Sequence, residues 1–154
     1  MTAQPSTAQP VDRDVRLFVY ERFLADAQPP TAEQIATGLA LAPEEVDASL
    51  RRLEEGHVFV FAPGTRNIWM ANPLSASPTP FRVETQRGAY WGTCIWDAFG
   101  AVAMLGGTGV VHTSCGCCGD EMTLQVEDGV LEPVEGVAHF AVPARRWWDN
   151  IGYT

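Results

Sequence analysis

Apolar residues recur at helical spacing at Val15, Leu17, Phe18, Tyr20, Phe23 and Leu24, and the pattern stops at Pro29-Pro30. This predicts an amphipathic helix closed by a double breaker. Thr31 then stands where an N-cap would open a short second helix to Leu39, with Glu33 in its first turn. Ala42-Pro43-Glu44-Glu45 opens a third helix that carries Val46, Leu50 and Leu53 and ends at Gly56. The strand-like run His57–Phe61, the turn residues Pro63-Gly64 and the run Ile68–Met70 predict a β-hairpin. Three helices followed by a hairpin, over residues 12–72, have the layout of a winged-helix-like module.

Residues 73–80 crowd Pro73, Pro78 and Pro80 among Ser75, Ser77 and Thr79, a composition that predicts a linker. Beyond it, Phe81–Glu84 is strand-like, and an apolar stretch from Tyr90 to Leu105 predicts a helix from Cys94 that Gly106-Gly107 terminates. Val110–Thr113, Met122–Val126, Val130-Leu131 and Val137–Val142 are short β-rich runs between Gly, Pro and acidic turns. They predict an antiparallel sheet packed on one helix over residues 81–154, and an α+β fold for the chain. Residues 1–11 repeat Thr-Ala-Gln-Pro at Thr2–Pro5 and Thr7–Pro10 without apolar periodicity, the pattern of a disordered leader. The aromatic tail Arg145–Thr154 is expected to pack on the core.

Charge removes one class of partner. Nineteen acidic residues face ten basic ones, all arginine, for a formal charge of -9. The third helix sets Glu44, Glu45, Asp47, Glu54 and Glu55 against Arg51 and Arg52, the wrong sign for a phosphate backbone, so nucleic acid is not expected as a partner. The longest apolar run, Ala98 to Leu105, falls far short of the roughly 18 residues that span a bilayer. The N-terminus lacks a basic region followed by an apolar one, so the expected location is the cytoplasm, away from membranes. Four cysteines in that compartment point to thiol chemistry or metal binding rather than a disulfide framework.

Cys94 and Asp97 carry the sharpest chemical signal. An i,i+3 pair shares one helix face, and Thr93 as N-cap would put Cys94 in the first turn, where free amides and the helix dipole favour a thiolate. Trp91, Trp96, Phe99 and Met104 would wall Asp97 with apolar surface, which favours the proton-bearing acid. A cysteine in an apolar helix is ordinarily a small buried hydrophobe; a carboxyl group in the same run is costly without a partner or a task. Cys115, Cys117 and Cys118, with His112 upstream, form a second cluster. It reads as a packed turn, a dedicated metal site or an auxiliary thiol site for a soft ion; zinc normally takes two separated ligand pairs.

The Cys94-Ile-Trp-Asp97 motif, Cys115 ahead of a Gly-containing turn and strands, and the preceding helical module together resemble the organomercurial, or alkylmercury, lyases over about residues 12–154. The most specific part is Trp91-Gly-Thr-Cys94-x-x-Asp97. The resemblance implies a winged-helix-like domain on a lyase-like core at 81–154, and carbon–mercury cleavage by two cysteines and an aspartate. It makes Cys94 the mercury-binding thiolate, Asp97 the proton shuttle and Cys115 a structural thiol. Trp91, Trp96 and Phe99 would line the pocket for the organomercurial substrate. No organic cofactor is implied; Hg(II) would remain as thiol-bound product, external thiols would be needed for turnover, and a mercuric reductase could receive the metal. A monomer or weak dimer is expected. The family's second catalytic cysteine follows a segment like Trp148–Thr154, which leaves three alternatives: a core truncated at its C-terminus, a second thiolate from Cys117 or Cys118, or a soft-metal or thiol-binding protein without lyase activity.

Overall fold

The structure, a computed structural model, describes residues 9–152. Helix α1 (Pro10–Asp26) starts inside the expected leader. Pro10 occupies the first turn, where its missing amide costs nothing, and the Asp12 carboxylate accepts from the Gln9 amide at 3.1 Å. The remainder of that leader, residues 1–8, lies outside the described residues. The buried stripe of α1 is Val15, Val19 and Phe23, all at most 1% exposed, and Leu17 points outward. A four-residue step keeps side chains on one face, so Val19 and not Leu17 completes it.

Thr31 caps α2 (Ala32–Leu39) as expected: its hydroxyl accepts from the Gln34 amide at 3.2 Å and the Gln34 side chain accepts from the Thr31 amide at 2.8 Å. Helix α3 (Pro43–Glu55) buries Val46, Leu50 and Leu53 against them. Gly56 follows it with an ordinary φ of -80, and His57 takes the left-handed turn at φ 60. Histidine is tolerated there more readily than a β-branched residue. The hairpin β1 (Phe59–Phe61) and β2 (Ile68–Ala71) follows, and β3 (Leu74–Ser75) adds a third antiparallel strand.

β3 overturns the expected linker. Leu74 is fully buried, Ser75 nearly so, and Leu74 also bridges to Gly92. Proline-rich composition marks where repeating structure breaks, but not whether an irregular segment is buried. The second sheet runs β5-β4-β6-β7-β8, all antiparallel, from β4 (Arg82–Thr85), β5 (Gly88–Trp91), β6 (Gly109–Ser114), β7 (Glu121–Glu127) and β8 (Val130–Leu131). Tyr90 and Trp91 therefore belong to a strand, not to the approach to the helix. Val137–Val142, expected as a strand, forms none, and Val137 is 92% exposed. Pro133 and Gly136 (φ 145) turn the chain off the sheet edge, and a run without a ladder partner cannot hold a strand.

Tyr90, Val83, Val111 and Leu124 stand in register across β5, β4, β6 and β7, all buried, and α4 (Ile95–Met104) lays Ala98, Ala101 and Val102 on that sheet. Gly107 (φ 79) closes α4 by donating to the Val102 carbonyl at 2.9 Å. One buried cluster runs from Val15 to Val126 across both halves. The Tyr20 hydroxyl donates to Asn72 O at 2.6 Å and the Tyr90 hydroxyl to Leu24 O at 2.9 Å, tying α1 to the segments around the site. Among the described residues, no helix is long and apolar enough to cross a membrane.

Candidate active site

The stretch from β5 into α4 is shaped by Gly92. Its amide donates to Phe81 O at 2.9 Å, its carbonyl accepts from the Thr79 hydroxyl at 2.6 Å, and a Cβ placed on it would lie 2.7 Å from the Ala98 nitrogen. Only glycine lets the first turn of α4 come this close to the strand end. The cap expected at Thr93 falls one residue later: Cys94 is the N-cap, with extended φ -145, and its carbonyl accepts from the Ala98 amide at 2.9 Å. The Thr93 hydroxyl donates instead to Asp97 Oδ2. Cys94 Sγ donates to the same oxygen at 3.1 Å. One carboxylate oxygen thus gathers a hydroxyl and a thiol.

The thiol differs from the expected helix-terminal thiolate. Burial pushes the Cys94 thiol up to about 11, and the Asp97 carboxylate adds to the rise by accepting its proton and by its charge. The amides of Asp97 and Trp96 act in the opposite sense and are outweighed. Loss of water around sulfur disfavours the anion more strongly than the helix N-terminus favours it.

A cavity of about 420 Å³ opens beside this pair, within the range of small-ligand sites. Thr93, Cys94, Trp96 and Asp97 form one wall, and Met70 and Asn72 from the end of β2 form another. Phe140, Trp147, Trp148, Ile151 and Gly152 cover the remainder. This tail contains a 3₁₀ turn, Ala144–Asp149, in which no residue is buried, so it roofs the cavity and does not enter the core. Trp148 stacks on His57 at 3.7 Å between ring centres and 9° between planes. The Trp147 indole donates to Val142 O at 2.8 Å, its ring lies 5.2 Å from Phe140, and Gly152 sits against the Trp69 ring.

The aromatic wall is therefore not the one expected. Trp96 lines the cavity but is 68% exposed, which puts it at the mouth. Trp91 and Phe99 are half-buried outside the lining, and Met104 is exposed at the far end of α4. The tail aromatics replace them; their clustering was visible in the sequence, but not the surface they would cover. A second cleft of about 340 Å³, lined by α1 and the end of α2, offers Asp14 and Glu21 but no thiol.

Cys115, Cys117 and Cys118 lie in the turn between β6 and β7 and do not line the cavity. All four cysteines are free. The amides of Cys118 and Cys117 draw the Cys115 thiol down; the Asp120 amide works the same way on Cys118, but the Asp120 carboxylate and the Cys115 sulfur outweigh it and push Cys118 up. His112 Nε2 is buried on the sheet 3.4 Å from the Glu84 carboxylate, with no hydrogen-bond partner among the described residues. Among the described residues, no three His, Cys, Asp or Glu side chains converge to hold a metal ion.

A thiol that donates to a carboxylate thus lies at the wall of an aromatic cavity. Residues 74–154 match the family model for alkylmercury lyase, MerB, and the chain belongs to that family. No curated protein matches the chain. Among solved structures, the mercury-bound form of MerB2 is similar at 16% identity, with a TM-score of 0.66 over 82% of this chain and 61% of that one. That likeness establishes the α+β fold, and this chain spans about 61% of the length of that structure.

Proposed function

We propose that the chain cleaves carbon–mercury bonds by protonolysis, with Cys94 binding the mercury and Asp97 moving the proton. The observation that carries this reading is the 3.1 Å contact between Cys94 Sγ and Asp97 Oδ2 inside the aromatic cavity. A thiol held neutral by burial needs a base at the moment a soft electrophile arrives. Asp97 accepts the proton as the S–Hg bond forms. The same proton then passes to the carbon as the C–Hg bond breaks, so a neutral hydrocarbon leaves in place of a carbanion. General-acid help of this kind contributes about 10²–10⁴-fold, and the Thr93 hydroxyl holds the carboxylate in place between the two transfers.

A second sulfur on mercury weakens the C–Hg bond. Among the described residues no second cysteine lines the cavity, so in this reading the second sulfur comes from elsewhere, and a small external thiol supplies it in the assay. Hg(II) leaves on thiols, ready for handover to a mercuric reductase. The test is hydrocarbon release from phenylmercury or methylmercury in excess small thiol. Asp97→Asn should keep mercury binding and lose release, and Cys94→Ser should lose release together with mercury binding in the cavity. Mercury binding with no hydrocarbon from the unaltered chain would overturn the lyase reading in favour of a soft-metal-binding protein of the same fold.

A further inference from the structure

The β6–β7 turn shapes two of its three cysteines into a pair. The Cys115 amide donates to Asp120 O at 2.8 Å, and the Gly119 amide donates to Cys115 O at 2.8 Å. Gly119, at φ 80, makes the tight return that a side chain would strain. Within this turn the Cys117 and Cys118 amides and the Cys118 side chain favour the anionic form of Cys115. Cys118 Sγ also reaches Asp120 Oδ2 at 3.2 Å. Backbone amides converging on sulfur form a concavity that stabilises negative charge without a basic side chain. The Cys-x-x-Cys spacing of 115 and 118 is the half-site spacing of metal knuckles.

We propose that Cys115 and Cys118 form a second, two-sulfur site, separate from the cavity, for a soft cation that is satisfied by two thiolates. Zinc does not fit: it takes four ligands, and among the described residues no group of three His, Cys, Asp or Glu side chains converges to hold a metal ion. Thiolates select soft ions, and a mercuric or cuprous ion accepts two of them. Binding of a divalent ion breaks two S–H bonds, forms two S–metal bonds and releases two protons, with Asp120 placed to accept the one on Cys118. No oxidation or reduction is involved. Cys118 is exposed and Cys115 half-buried, so incoming thiols reach the bound metal, which suits transfer rather than storage.

The experiment uses the reduced, oxygen-free 154-residue chain carrying Cys94→Ser, titrated with Hg(II) against a competing monothiol and followed by sulfur-to-mercury charge-transfer absorbance. One equivalent should bind. Cys115→Ser or Cys118→Ser should weaken it by about a hundredfold or more, the loss expected when a second tethered contact disappears. Cys117→Ser should retain it, and circular dichroism should show all three folded. With Cys94 intact, Cys115→Ser or Cys118→Ser should remove only the second equivalent and Cys117→Ser should remove neither, which keeps the test valid if Cys94→Ser destabilises the chain. Equal losses at Cys117 and Cys118, or displacement of Hg(II) by equimolar Zn(II), would overturn the proposal.

Discussion

Replacing Gly92 with alanine tests whether the α4 start is held by backbone contact. The new Cβ would lie 2.7 Å from the Ala98 nitrogen, 2.8 Å from its Cα and 3.0 Å from its Cβ. Two of these neighbours are backbone, so no rotamer change relieves them. Ordinary contact begins near 3.4 Å, so the first turn of α4 must retreat by about 0.7 Å, an overpacking cost of roughly 1–3 kcal/mol. For a chain of this size that is a fall in Tm of roughly 2–12 °C. The same retreat moves Cys94 and Asp97 relative to the tail wall, and a displacement near 1 Å costs about 10²-fold in rate where geometry is required. Gly100→Ala in the same helix is the internal control. Its Cβ would meet only Pro73, with Cβ at 3.5 Å and Cγ at 3.9 Å, so relief of glycine's helix penalty should stabilise by about 0.5–1 kcal/mol. Thermal and urea unfolding give the stabilities, and hydrocarbon release per folded molecule gives the activity. A Gly92→Ala chain as stable as Gly100→Ala would refute the close-approach argument.

With Cys115, Cys117 and Cys118 replaced by serine, alkylation of Cys94 by iodoacetamide should rise with pH toward a midpoint near 11, because burial raises this thiol, and Asp97→Asn should lower that midpoint; one below 9 contradicts the assignment. Asp12, 5% exposed and doubly bonded by Arg52 at 2.7–3.1 Å, is lowered from 3.8 to about 2, first by that hydrogen bond. A depressed folded-state value adds stability that is complete above pH 4 and lost as pH falls toward 2, worth about 2 kcal/mol; Asp12→Asn should flatten urea-derived stability across that window, and an unchanged slope counts against the pairing. Residues 12–80 hold ten acidic side chains against six arginines, and Arg51, Arg52 and Arg66 are already paired with Asp47 or Asp12. Duplex DNA should therefore not bind even at low salt, and tight, salt-sensitive binding in a gel-shift assay would show otherwise.

Much of the N-terminal half was legible because its signals are local. The Thr31 cap, Pro43 at the start of α3 and the Gly106-Gly107 stop act within a few residues of themselves, and the structure places all three at helix ends. Errors arose where a segment needed a distant partner. Leu74 sits in proline-rich surroundings that resemble a linker, and its burial comes from β2 and Gly92. Val137–Val142 alternates like a strand but leaves the sheet edge before any ladder forms.

The candidate site divides along the same line. That Cys94 and Asp97 meet was determined by neighbouring sequence, because Cys94 is the N-cap of α4 and Asp97 its third helical residue, two positions whose side chains lie side by side at a helix start. Tertiary structure decided the protonation of that thiol and the nature of its surroundings. Desolvation depends on which segments exclude water, and the aromatic wall comes from Phe140, Trp147 and Trp148, more than forty residues away in sequence and held over the site by a stack on His57 at the far end of α3. A backbone repeat is written in neighbouring residues, whereas burial is a sum over everything that packs nearby.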